Sequence, residues 1–173
     1  ILEMISGILD VKCSYGDTQL GGKDIDEKLM ELIEKKFKNK NPNAEIITKY
    51  KPELKKKAKE IKEKLSFQND VDIYIPAIAK ENDNLIDISV SISKIEFESI
   101  IMPLINRAQR VIEETLMKKN LKKENINKVL LVGGTTYIPL VKNMINDFFN
   151  NKVVGTNNDV DPDLAVSIGA SIQ

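Results

Sequence analysis

The sequence predicts a mixed α/β fold, assembled from small sheets and amphipathic helices. Two stretches of alternating apolar and polar residues, at 1–15 and 70–91, indicate β-hairpins. Between them and after them, apolar residues recur at helical spacing. The composition of 42% hydrophobic and 30% charged residues is typical of a soluble globular protein.

Charge and residue usage exclude several kinds of chemistry. Lys and Arg number 26 and Asp and Glu number 26, so no net field would attract nucleic acid or an acidic membrane surface, and we expect neither as a partner. The chain has no histidine, which excludes Ser-His triads and histidine metal sites, and we expect no metal ligands. The single cysteine, Cys13, cannot form an internal disulfide and favours a reducing compartment, which we take to be the cytoplasm.

The first half of the chain should contain a hairpin and two helices. Ser6-Gly7 separates the strands of the hairpin. The first helix follows Gly21-Gly22 and has Asp24 as the cap of its N-terminus. The second helix covers about 50–66. Its apolar stripe repeats at i, i+4, i+7 and i+11 and consists of Leu54, Ala58, Ile61 and Leu65.

The second helix carries another face of functional interest. Lys59, Lys62, Glu63 and Ser66 are spaced i, i+3, i+4 and i+7, so we expect them to be presented together to whatever lies opposite. A solvated, lysine-rich surface helix is the alternative interpretation.

The second half should contain a further hairpin, at 70–75 and 85–91, followed by alternating helices and strands. We expect a helix from about 93 to 119 with a kink or break at Pro103, and then a buried strand at 128–132. A helix at 138–149, a short strand at 152–154 and a terminal helix from about 162 complete the chain. The segment 22–101 has its own hairpin and most of the Lys, Asn and Glu excess. We therefore interpret it as a subdomain inserted into a sheet-and-helix region formed by 1–21 and 102–173.

Two glycine turns could bind phosphate. Gly133-Gly134 follows the strand at 128–132 and precedes a helix, and Gly21-Gly22 lies at a similar junction. Glycine lets backbone N–H groups approach a phosphate, and a helix N-terminus adds positive potential. Neither a Walker A pattern nor a dinucleotide-binding pattern is present, so a nucleotide held between the two turns and the basic helix would need a different cradle.

Three motifs resemble the seventy-kilodalton heat-shock chaperone (DnaK) family. They are GDTQLGGKDID at 16–26, VLLVGGTTYIP at 129–139 and DPDLAVSIGA at 161–170. Their order and separation match the family over the whole chain. The resemblance implies the second lobe of an actin-like ATPase domain, without the first lobe, its catalytic acidic residues or the peptide-binding domain. The chain also opens on Ile1, so we expect it to be a piece of a longer protein.

The resemblance also implies a site for ATP or ADP, with Mg²⁺ in the complete protein. Gly22 matches a phosphate-side glycine, and Asp163 matches an acidic residue near the ribose. Lys62 and Ser66 match the lysine and serine that hold the adenosine. The loop near the ribose and α-phosphate is matched by Gly133, Gly134 and Thr135, and Tyr137 takes the position of an arginine that stacks on adenine.

Two further departures from the family pattern lie on the basic helix. Lys59 replaces the usual glutamate, and Glu63 stands where many members have arginine. Together with Tyr137 they predict altered nucleotide affinity. Tyr137 can still stack through its ring.

The implied function is that of an ATP-dependent chaperone fragment. It would supply half of the nucleotide cleft and the mobile subdomain on which exchange factors act, while J-domain co-chaperones and unfolded clients would engage the complete protein. We expect no hydrolysis by the fragment alone, because the groups that phosphoryl transfer requires are largely absent. A degenerate binding or assembly module that does not cycle nucleotide is the alternative. A sugar or acetate kinase of the same superfold fits the motifs less well.

Overall fold

A computed structural model of the chain describes residues 1–154 and 164–172. They divide into two compact units. Unit 1 comprises Ile1–Leu20 and Leu104–Gln173, and unit 2 comprises Gly21–Pro103. No helix within 1–154 or 164–172 combines the length and the apolar character needed to cross a membrane.

Unit 2 is a three-stranded antiparallel sheet with two helices against it. Strand β3 (Glu45–Ile46) pairs with β4 (Asp70–Glu81), which pairs with β5 (Asn84–Ser93). Helix α1 (Gly22–Lys40) lies against β5, and helix α2 (Lys51–Leu65) lies against β4 and α1.

The core of unit 2 follows from the two periodicities of its sequence. Strand β4 buries one side chain in two over its first half, and β5 does the same over its second half. The predicted stripe of α2 is buried throughout, with each residue at most 2% exposed. Each large side chain buried here contributes about 1.5–3 kcal/mol. The core residues on the two strands are Val71, Ile73, Ile75, Ile78, Ala79, Ile88, Val90 and Ile92.

The start of helix α1 differs in detail from the prediction. Gly21 is the N-cap residue, and Asp24 occupies the third helical position. The Gly21 N–H donates to the Asp24 carboxylate at 2.7 Å. Asp24 therefore caps the helix from inside its first turn, where a carboxylate also meets the positive end of the helix dipole.

Unit 1 begins with the predicted hairpin, formed by β1 (Leu2–Ile5) and β2 (Ile8–Val11) around a Ser6-Gly7 turn. Strand β6 (Val129–Leu130) pairs in parallel with β7 (Val153–Val154). Helices α4 (Pro139–Phe148) and α5 (Ala165–Ile172) match the predicted helices, although residues 162 and 163 lie outside the described part. A small core unites Leu116, Ile145 and Phe149.

Two expectations for the second half need correction. Helix α3 (Lys94–Met117) runs through Pro103 as one helix, so the expected break is wrong, and the alternative of a kink stays a prediction. Its Phe97, Ile101 and Ile105 are at most 4% exposed, and their burial offsets the missing hydrogen bond at the proline.

The apolar run at 128–132 is also not a buried strand. Leu130 is 51% exposed and Val132 is 44% exposed, and β6 has only two residues. Within the described residues β6 pairs with β7 alone, so most of its surface stays uncovered.

Candidate functional site

The segment that leads to the first glycine turn is tied to helix α3 within unit 1. The Asp17 carboxylate lies 2.5 Å from the Arg107 guanidinium and accepts a hydrogen bond of 2.9 Å from the Gln19 N–H. The bond from the Gln19 backbone and, next, the pairing with Arg107 hold the pKa of Asp17 below its usual value. The Tyr15 hydroxyl donates to Glu114 at 3.0 Å. These contacts fix the GDT motif by side-chain interactions rather than by a strand.

Lys62 is held inside unit 2. Its Nζ lies 2.7 Å from Asp26 Oδ1 and donates to the Gly22 carbonyl at 3.3 Å. The side chains of Lys62 and Asp26 are 11% and 9% exposed. Among the described residues, Asp26 Oδ1 receives no well-aligned hydrogen bond, although the Lys62 ammonium is at contact distance. The pair is therefore a buried ion pair whose attraction is mainly that of charge.

The predicted face of α2 does not act as one surface. Ser66 is 8% exposed, and its hydroxyl donates to the Lys62 carbonyl at 3.2 Å. Lys59 and Glu63 are exposed. The expectation that all four residues are presented together is wrong, because Lys62 turns toward Asp26 and Ser66 is buried at the end of the helix. In unit 2 the structure brings three predicted site residues into contact, since Lys62 donates to the Gly22 carbonyl and Ser66 donates to the Lys62 carbonyl.

The second glycine turn lies in unit 1. Gly133 has φ of 93°, a backbone conformation that other residues rarely adopt. A Cβ placed on Gly133 would meet no atom within 4 Å, so the space above this peptide is open. Gly134–Tyr137 form a 3₁₀ turn that leads into α4. The first N–H groups of such a turn have no partner within it, so those of Gly134 and Thr135 are suited to an anion.

Contacts within this turn hold its shape. The Thr136 hydroxyl and N–H both donate to the Gly133 carbonyl, at 2.7 Å and 3.0 Å. Lys142 Nζ lies 5.6 Å from the centre of the Tyr137 ring. Asp163, the remaining predicted site residue, lies outside the described residues.

The sequence analysis did not identify Asp26 as the partner of Lys62 in unit 2. The signal was its place on the apolar face of α1, next to Ile25 and one turn before Leu29. A carboxylate on a buried helix face needs a cationic partner, because an unpaired buried charge is very costly.

The described residues do not provide a magnesium site. Within 1–154 and 164–172, no three acidic or cysteine side chains lie close enough together to hold a metal ion. The glycine turn at Gly133, with its open space and its N–H groups, fits a phosphate group better than a cation.

Comparison with known proteins identifies the class and then the family. The family model described as Hsp70 protein matches residues 1–173. The mixed helix and strand fold is consistent with one lobe of an actin-like ATPase domain. The chain belongs to the Hsp70 family, whose members are nucleotide-binding chaperones, as the three motifs predicted.

Curated relatives match the chain over its whole length. The chain is 34% identical to the chaperone protein DnaK of Mycoplasmopsis synoviae (strain 53) and 32% identical to that of Mycoplasmopsis pulmonis (strain UAB CTIP). It is also 34% identical to the chaperone protein dnaK of Cyanidium caldarium. Each alignment covers 100% of this chain but only 28% or 29% of the relative.

Proposed function

We propose that the chain supplies one lobe of the ATP- or ADP-binding site of an Hsp70-type chaperone. In unit 1, Gly133, Gly134 and Thr135 would contact the α-phosphate and ribose. In unit 2, Gly22 would lie on the phosphate side, and Lys62 and Ser66 on the adenosine side. Tyr137 would stack on adenine, and Asp163 would lie near the ribose.

The observation that carries the proposal is the geometry of Gly133. Its positive φ and the open space above it are what close approach of a phosphate to a backbone requires. Family membership makes a nucleotide the expected source of that phosphate. When bound, the nucleotide supplies the phosphoryl group, and this chain's residues would bind and orient it.

Titration with ADP tests the proposal, and the chain offers a matched control. Gly133→Ala places a Cβ where the phosphate would lie. Gly7→Ala introduces the same kind of strain, since Gly7 has φ of 81° and an equally open surrounding, but it lies in the hairpin turn. We expect ADP binding to the unmodified chain and to Gly7→Ala, and its loss in Gly133→Ala. Equal affinities of the two variants would contradict the assignment.

We further propose that the chain alone does not hydrolyse ATP. Its described residues hold no acidic cluster for a metal ion, and phosphoryl transfer depends on such groups. An ATPase assay of the purified chain checks this point. Turnover that persists through purification and disappears in Gly133→Ala would overturn it.

The complete protein would use ATP binding and hydrolysis to control its hold on unfolded clients, in the cytoplasm, with J-domain co-chaperones and exchange factors as partners. Unit 2 would be the mobile subdomain that exchange factors contact. These proposals depend on family membership, because the chain spans less than a third of its relatives.

The departures from the family pattern at Lys59, Glu63 and Tyr137 favour a second candidate, an assembly module that does not cycle nucleotide. Absence of ADP binding by the complete protein would select this candidate.

A further inference from the structure

We infer that Asp26 is a positioning residue, which fixes the Lys62 ammonium beside the Gly21-Gly22 turn and makes the pair neutral as a whole. Lys62 then offers a hydrogen-bond donor from a neutral ion pair, which is suited to the uncharged nucleoside part of a ligand rather than to its phosphates. This inference rests on the proposed nucleotide site.

The burial of the pair sets it apart from the other ion pairs. In each other ion pair that the described part of the chain forms, both side chains are at least 21% exposed. Burying two charges costs several kcal/mol, and apolar residues of similar size often stabilise a protein as well or better. Stability alone therefore does not account for this pair.

The donors of Lys62 support a role toward a ligand. An ammonium has three N–H groups. Within the described residues the ammonium donates to the Gly22 carbonyl and lies 2.7 Å from Asp26 Oδ1 without a well-aligned hydrogen bond to it. At least one N–H is therefore left for an outside acceptor, such as a ribose hydroxyl or a ring nitrogen.

The net charge of the pair decides which acceptor is favoured. A free ammonium would favour a phosphate, because the attraction between opposite charges exceeds that of a neutral hydrogen bond. With the Asp26 carboxylate at 2.7 Å, the pair as a whole is neutral and that preference is removed. The same contacts join α2 to the start of α1, so the lysine and the glycine turn keep a fixed separation.

The first test needs no ligand. Reductive methylation followed by mass spectrometry reports how accessible each lysine is, and exposed Lys59 serves as the internal reference. We expect Lys62 to react at least tenfold more slowly than Lys59 in the unmodified chain, and to approach the Lys59 rate in Asp26→Asn. Equal Lys62 rates in the two proteins would overturn the inference.

A matched control is Glu27→Gln. Glu27 is the neighbour of Asp26 and also links α1 to α2, through an exposed pair with Lys55 at 2.8 Å. This variant should leave Lys62 protected. Deprotection of Lys62 by Glu27→Gln would mean that any loosening of the two helices frees the lysine, which contradicts a specific role for Asp26.

The second test uses adenosine as the probe, and NMR titration measures its binding to the 173-residue chain. Loss of a positioned charged donor should weaken adenosine binding by about tenfold or more in Asp26→Asn. Glu27→Gln should bind as the unmodified chain does. A purely structural role would lower stability without changing affinity, so an affinity within twofold in folded Asp26→Asn refutes the inference.

The outcomes separate this inference from the proposed function. If the unmodified chain binds neither adenosine nor ADP, the proposed function fails, and the claim that Lys62 serves a nucleoside fails with it. If it binds both and Asp26→Asn is unaffected, only the inference fails.

Where circular dichroism shows Asp26→Asn to be unfolded, Asp26→Glu replaces it, because it keeps the charge and moves the carboxylate by one methylene. Weaker adenosine binding by Asp26→Glu supports positioning, and unchanged binding overturns it.

Discussion

Replacing Lys62 with methionine should destabilise unit 2 strongly. Methionine nearly fills the space of the lysine stem, so little cavity remains, but Asp26 keeps its charge at 9% exposure without a partner. Removal of one member of a buried ion pair typically costs about 3–5 kcal/mol. A loss of about 3 kcal/mol corresponds to a more than hundredfold rise in the population of molecules in which unit 2 is unfolded.

Native-state hydrogen exchange is the suitable assay, because it reports on α1 and α2 separately from unit 1. Amides of both helices should exchange more than about a hundredfold faster in Lys62→Met. Lys55→Met serves as the control, since Lys55 also bridges α1 and α2, through its exposed pair with Glu27. We expect the control to change exchange very little, because exposed pairs are screened by solvent.

The double variant Asp26→Leu with Lys62→Met completes the experiment. It removes both charges and leaves apolar groups on an apolar helix face, so it should recover most of the lost stability. The reasoning is refuted if the double variant is no more stable than Lys62→Met alone, or if Lys62→Met and Lys55→Met have equal effects.

Three further outcomes are expected in unit 2. Ala77 lies in the irregularity of β4 and has φ of 52°. Ala77→Gly should therefore stabilise the protein by about 0.5 kcal/mol, because the relief of backbone strain exceeds the entropy cost of glycine. The measurement is the thermal midpoint, which should rise. Leu29 is 0% exposed, and Leu29→Ala should cost about 3–5 kcal/mol in urea unfolding. The ion pair with Lys36 and, next, the Ser93 N–H lower the pKa of Glu96, so the folded state binds fewer protons there than the unfolded state does. The contribution of Glu96 to the free energy of unfolding is complete above the pKa of the unfolded state and is lost as pH falls through the pKa of the folded state. In Glu96→Gln the free energy of unfolding should therefore fall less steeply as pH is lowered. An unchanged pH dependence would contradict this assignment.

Local patterns predicted the hairpins and most helices correctly because their causes lie within a few residues. Ser6-Gly7 closes β1 and β2 with the two-residue turn that its composition favours. The stripe of α2 is buried as its spacing predicted. Gly133 stays a proposed ligand contact, and its positive φ is a conformation that glycine favours.

The failures share another cause, which is interaction between distant parts of the chain. Whether α3 continues through Pro103 depends on how much apolar surface its neighbours bury on both sides of the proline. Whether 128–132 is covered depends on the number of strands beside β6. Neither quantity can be read from residues nearby in sequence.

The sequence by itself determined the family, the order of the helices and hairpins, and the glycine turns, since motif spacing and short-range periodicity are local properties, whereas the short strand β3 was not predicted. The tertiary structure decided which way the side chains of α2 point. Helical spacing places Lys59 and Lys62 on one face, yet Lys62 turns inward to Asp26 while Lys59 remains in solvent. The reason is physical: a carboxylate buried on the apolar face of α1 requires a cation, and only the packing of α1 against α2 brings Lys62 within reach.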